Sequence, residues 1–281
     1  MQRVKYWLMA FRPKTLTAAI VPIIATTALV YTTQQPVQWW ISVYALLASI
    51  FIQIGTNLVN DAVDFKKGAD NEKRIGPQRV TQSGIFSAKE VMIVGTIFFI
   101  LAILFGIPLV LKGGWPIVII GLVSVLFGYA YTAGPFPLAY LGLGDIFVVF
   151  FFGLVAVGGL YFLQLEDFSS GALVLGLQIG LHCAVLIAIN NLRDVDGDVL
   201  VHKKTLPVRF GKKFARFEIA ALCFIPFLLQ LFWLQNGFVL AALLPFISLP
   251  LAIRIVKLVF FNEPGPAYNN YLAQAAGLHL F

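Results

Sequence analysis

Charge is scarce in this sequence. Its 281 residues include 20 Lys and Arg and 13 Asp and Glu, 12% of the chain, whereas hydrophobic residues make up 59%. A soluble globular domain has about a quarter of its residues charged and about half apolar, so that class is excluded. The net charge of +7 comes with too few charges and too much Leu, Ile, Val and Phe for a disordered tail or a nucleic-acid-binding module. Cysteine is scarce too: Cys183 and Cys223 fall inside apolar segments with no partner at metal-ligand spacing. Both read as small packing residues and carry no message about redox compartment.

What is abundant is long apolar runs, and these make the chain an integral membrane protein. A helix crossing about 30 Å of hydrocarbon needs about 20 residues. Apolar segments lie near 15–32, 40–60, 91–111, 116–133, 144–163, 171–191, 219–236 and 239–260. A ninth, 268–281, is too short to cross and is either cut short by the end of the chain or placed at the interface. The basic start (Arg3, Lys5, Arg12, Lys14) has the outline of a signal peptide. No small-residue cleavage site clearly follows, and the run is about span length, so it reads as a retained first helix. The expected architecture is an all-α bundle in one membrane domain, residues 1–281, with motif loops near 61–90 and 192–217.

Orientation follows from the basic residues. Nineteen of 20 fall at the N-terminus, between helices two and three, between six and seven, or at the end of helix eight, leaving Lys112 alone on the other side. The positive-inside rule puts those 19 on the cytoplasmic face of a cell membrane.

The acids cluster beside them. Asp61, Asp64, Asp70 and Glu72 follow helix two, and Asp194, Asp196 and Asp198 follow helix six, seven of the 13 in two groups. If helix two continues to Asp64, then Asn57, Asp61 and Asp64 stand at i, i+4 and i+7 on one face, and Asn190, Asp194 and Asp198 stand at i, i+4 and i+8. The pairs Asn57/Asn190 and Asp61/Asp194 have the same offset (190 − 57 = 194 − 61 = 133), which suggests two four-helix pseudo-repeats whose acidic ends meet. Taken singly, Asp70, Glu72 and Asp196 read equally well as acids of a solvated loop. The two stripes do not, because a helix C-terminus disfavours anions and needs a compensating cation. Hard oxygen donors suit Mg²⁺, which takes one or two carboxylates and fills its other positions with water and substrate phosphate. The neighbouring Lys and Arg supply the other half of a phosphate clamp.

These residues carry a resemblance. Asn57-Leu-Val-Asn-Asp-Ala-Val-Asp-Phe-Lys-Lys-Gly-Ala-Asp70 and Asn190-Asn-Leu-Arg-Asp-Val-Asp-Gly-Asp198 resemble the two aspartate-rich motifs of the UbiA superfamily of intramembrane prenyltransferases. So do Arg12-Pro-Lys-Thr-Leu16, the stretches 76–84 and 134–145, and Lys203-Lys-Thr-Leu-Pro-Val-Arg-Phe-Gly211. The details are most similar to the branch that prenylates 1,4-dihydroxy-2-naphthoate in menaquinone synthesis.

The resemblance implies about nine helices around a central cavity, a polyprenyl diphosphate donor, the dihydroxynaphthoate acceptor and two Mg²⁺ ions. It places Asn57, Asp61 and Asp64 on one ion and Asp194 and Asp198 on the other, with Asp61, Asp64, Asp194 and Asp198 as the catalytic acids. Asn190 and Asp70 are further ligand candidates. This chain has Gly68 where many members carry a third acid, and Asp70 follows two residues later. Lys66, Lys67, Arg74, Arg79, Arg193, Lys203 and Lys204 are the candidates for holding the diphosphate. Tyr129, Tyr131 and Tyr140 are candidates for shielding a carbocation, or else interfacial anchors. Asp145 either caps helix five or touches substrate. His182 reads as a packing residue and His202 as a loop residue.

Other classes fit less well. A 4-hydroxybenzoate prenyltransferase is the nearest alternative within the superfamily. A secondary transporter places its charges in broken helices rather than at helix ends. A CDP-alcohol phosphotransferase needs an Ala-Arg pair after Asp-Gly in one continuous run, and Asp196-Gly197 has none after it up to Arg209.

Overall fold

A computed structural model describes residues 2–69, 75–135 and 137–280. Asp70, Glu72 and Arg74 of the first motif loop lie outside the described residues. Among those described, every regular element is helical.

Helix α1 (Gln2–Ala10) leads through a tight turn at Pro13–Thr15 into α2 (Thr17–Thr32), the two halves bent by 52°. Next come α3 (Trp39–Lys66), α4 (Ala88–Gly113) and the shorter α5 (Trp115–Ala130). After the loop that carries Tyr140 come α6 (Gly144–Leu165), α7 (Ser170–Arg193) and the short α8 (Val195–Leu200). Helices α9 (Leu206–Gln235), α10 (Val239–Phe261) and α11 (Tyr268–Leu280) complete the bundle. Six of these are long and apolar enough to cross a membrane, seven if the bent α1–α2 pair counts as one span.

Local sequence accounts for the ends. Ser87 accepts from the Glu90 amide while the Glu90 carboxylate accepts from the Ser87 amide, a capping box that starts α4. Ser169 caps α7 through the Ala172 amide. The outer wall is apolar, with Leu111 82%, Leu240 74% and Ile247 75% exposed, as surfaces facing hydrocarbon rather than water must be.

Two packings set the position of the second acidic motif. Helix α6 opens into a π-helical stretch over Val149–Val155, where Gly153 lies so close to α7 that a Cβ there would collide with the Gly176 carbonyl. On its other side α7 buries Val185, Ile189 and Leu192 against Ile219 and Cys223 of α9, Ile255 of α10, and Tyr271 and Leu278 of α11. The 268–280 segment is therefore a packed member of the bundle. Both cysteines are free and buried.

Candidate active site

The first motif rides on one unbroken helix. Helix α3 continues to Lys66, so Asn57, Asp61 and Asp64 form a stripe on a face that is buried for all three, with Asp61 only 1% exposed. Carboxylates are left in such a place only where partners compensate. The Asp61 carboxylate accepts from the Thr81 hydroxyl, itself buried, and lies within electrostatic range of Arg12. Arg12 also donates to the Asn57 carbonyl at 3.3 Å, from a left-handed backbone (φ 53°) that a non-glycine residue adopts at a cost of about 1–3 kcal/mol. Asn57 turns its amide nitrogen to the Phe11 carbonyl and the Thr15 hydroxyl.

Asp64 leads towards the second motif. It accepts from the Tyr140 hydroxyl at 2.9 Å. The Lys67 ammonium stands 4.1 Å from the centre of that Tyr140 ring and donates to the Thr132 carbonyl, while the Lys203 ammonium lies 5.8 Å from the same ring. Lys203 in turn sits 3.5 Å from Asp198, whose other oxygen accepts from Thr205. One tyrosine thus joins the two motifs, flanked by two cations. Burial lowers the Lys67 amine below its ordinary value against the pull of Asp64. Burial also pushes the Asp198 carboxyl up to about 6, with Lys203 drawing it back.

The second motif is built differently from the first. Helix α7 stops at Arg193, and Asp194 bridges to α8, the Asp194 and Asp198 amides still bonding four residues back to the carbonyls of Asn190 and Asp194. The sequence places Arg193 among the candidates for holding the diphosphate, and in the structure it is engaged by protein groups. Its side chain is turned into the protein, 1% exposed, donating from Nε and Nη2 to both oxygens of Asp194, from Nη2 to Asn190 and from Nη1 to Asn269. A planar fork of five donors matches such a set, and its neighbour Asp194 supplies the carboxylate. Asn190 is likewise engaged by Arg193.

Of the remaining candidates, Lys66 and Lys204 are exposed, and Tyr129 is 43% exposed. Tyr131 faces inward: its hydroxyl lies 3.0 Å from where a Cβ on Gly144 would stand, and burial with Asp145 and Asp64 nearby keeps the phenol protonated. Asp145, 5% exposed, opens α6 but turns one oxygen to Asn191 and leaves the other without a hydrogen-bond partner. Asp196 is a surface acid paired with Lys212. His182 meets the Cys223 carbonyl inside the bundle, and His202 is an exposed loop residue in the left-handed region.

Sequence reasoning missed several residues. Glu218 keeps a buried carboxylate oxygen without a partner within charge–charge range of Asp145. In the sequence it stands one residue before the apolar run that begins at 219. Thr81 and Thr205 are ordinary hydroxyls in sequence, and only their contact with Asp61 and Asp198 marks them.

The acids suit Mg²⁺. Asp61, Asp64 and Asp198 offer hard oxygens with lone pairs left over, and Asn60 adds a buried amide oxygen without a partner. Among the described residues no three acidic, His or Cys side chains already form a metal cage.

Comparison with known proteins gives the same direction. Residues 19–270 match the model of the UbiA prenyltransferase family. The chain is 34% identical to the 1,4-dihydroxy-2-naphthoate octaprenyltransferase of Haemophilus influenzae, covering 99% of this chain and 93% of that one. It is 36% identical to the Escherichia coli protein of the same name, over 76% of this chain and 71% of that one. Its fold matches the UbiA homolog of Archaeoglobus fulgidus bound to GPP and Mg²⁺ with a TM-score of 0.71 at 16% identity, covering 98% of this chain and 96% of that one. The apo UbiA homolog of Aeropyrum pernix matches with a TM-score of 0.69 at 15% identity, covering 95% and 96% of the two chains.

Proposed function

This chain belongs to the UbiA prenyltransferase family, and on that premise we propose that it transfers a polyprenyl group from its diphosphate to 1,4-dihydroxy-2-naphthoate, releasing diphosphate and carbon dioxide and giving demethylmenaquinol. The observation that carries the reading is the Asp64–Tyr140–Lys203–Asp198 succession, which draws two distant acidic motifs to one spot with cations beside them.

Asp61, Asp64 and Asp198 would hold two Mg²⁺ ions, with Asp194 as a fourth acid already paired with Arg193. The chemistry supplied by bound Mg²⁺ is neutralisation of the departing diphosphate, which lowers the barrier to breaking the allylic C–O bond. Lys67 and Lys203, both near the Tyr140 ring, add positive charge where that leaving group accumulates negative charge. The Tyr140 ring, fixed by its bond to Asp64, presents a π face to the allylic cation, an interaction of about 0.5–2 kcal/mol. Asp145 and Tyr131 offer an acceptor and a donor to hydroxyl groups of the aromatic acceptor. The site sits in the cytoplasmic half of a multi-pass protein of the cell membrane, as the distribution of basic residues indicates.

The reading is tested with membranes containing the protein and a labelled prenyl diphosphate, each acceptor being supplied separately. Labelled product is expected with dihydroxynaphthoate and none with 4-hydroxybenzoate; the reverse preference would reassign the acceptor.

A further inference from the structure

The first turn of α11 holds a residue that touches both halves of the site without belonging to either motif. Asn269 accepts from Arg193 Nη1 at 2.8 Å and donates from Nδ2 to the Ile75 carbonyl at 3.2 Å. Through Arg193 it reaches Asp194 and Asn190, bonded at 2.6–2.8 Å. Through Ile75 it holds the stretch that runs on to Thr81, whose hydroxyl bonds Asp61. An amide is suited to this place because it carries an acceptor and donors on one small planar group.

Its own position is well fixed. Tyr268, fully buried, donates its hydroxyl hydrogen to the Asn262 carbonyl at 3.0 Å, and Arg216 bonds the carbonyls of Val259 and Asn262 and the Glu263 carboxylate. The α10–α11 turn is thereby tied to α9, and Asn269 projects from a braced helix start. The Arg193 side chain it engages is among the largest fully buried groups of the molecule.

We propose that Asn269 is a positioning residue for prenyl transfer: it fixes the second acidic motif and the connection after the first in the one relative placement at which the diphosphate site is complete. The proposal rests on the reading of the two motifs as a Mg²⁺–diphosphate site. Asn269 touches no substrate. Its effect belongs to binding of the diphosphate, not to recognition of the aromatic acceptor.

The test uses the full-length protein in nanodiscs, with a non-reacting prenyl thiodiphosphate bound at saturating Mg²⁺ and followed by calorimetry. Asn269→Leu removes both bonds at similar volume. Its dissociation constant for the thiodiphosphate is expected to rise about tenfold, the size of one lost charge-assisted hydrogen bond, with the KM for prenyl diphosphate following and the acceptor KM within about twofold of wild type. Unchanged thiodiphosphate binding, or an equal rise in both KM values, would overturn the proposal. Should Asn269→Leu not fold, Asn269→Asp decides, because it keeps the acceptor for Arg193 and withdraws the donor from Ile75. Weaker thiodiphosphate binding supports the proposal and unchanged binding overturns it. A wild-type protein that binds no thiodiphosphate in Mg²⁺ would instead remove the reading of the site on which the proposal rests.

Discussion

The Tyr140 hydroxyl donates to Asp64 at 2.9 Å, joining a loop between two helices to the acid that ends the Asn57–Asp61–Asp64 stripe. The Lys67 and Lys203 ammonium groups lie 4.1 and 5.8 Å from the centre of the same ring. Tyr140→Phe keeps the ring and removes the bond, and a hydrogen bond to a charged group contributes about 1.5–3 kcal/mol. The expected loss in kcat/KM is about tenfold to hundredfold. Tyr140→Leu should lose more, and equal activity of the two variants would show that the ring contributes nothing.

Asp61 and Asp198 sit in the two motifs, accepting from Thr81 and from Thr205 respectively. Asp61→Asn and Asp198→Asn should each remove Mg²⁺-dependent transfer while circular dichroism stays that of the helical wild type. Full turnover in either variant contradicts its place in the metal site.

Thr81→Val tests how far Asp61 depends on its buried hydroxyl partner. The swap is nearly isosteric, and leaving the carboxylate without that donor costs about 1–3 kcal/mol. A Mg²⁺ titration of activity should show a higher half-saturating concentration, and an unchanged titration would mean that Thr81 does not orient the acid.

Arg193 serves the fold of the second motif. Removing one partner of a buried ion pair costs about 3–5 kcal/mol, so Arg193→Leu should lower the melting temperature markedly in detergent. Arg193→Lys keeps charge but not the fork, and an intermediate loss is expected. A variant as stable as wild type, with only a weakened KM for prenyl diphosphate, would return Arg193 to the role of a diphosphate cation.

Much of this was legible in the sequence because the bilayer enforces it. Apolar runs of span length and the stripe Asn57, Asp61, Asp64 follow from helical periodicity alone, and α3 does run past Asp64 as the spacing requires. For Arg193 the sequence shows its charge but not its direction. Beside an acid motif a solvated cation and an inward fork look alike until Asn269, 76 residues away, supplies the partner. Asn269, Thr81 and Glu218 were missed for a related reason: each gains its significance from a contact between helices distant in sequence. The helix Tyr268–Leu280 is short, as the sequence indicates, and its buried face packs against α7 and α10, which no local pattern shows.

The most direct test uses purified protein in nanodiscs, a tritiated prenyl diphosphate and dihydroxynaphthoate labelled with ¹⁴C in its carboxyl group. The account predicts one labelled carbon dioxide released for each prenylated product, both abolished by EDTA and restored by Mg²⁺. Prenylated product that retains the carboxyl label, or transfer undiminished by EDTA, would contradict it.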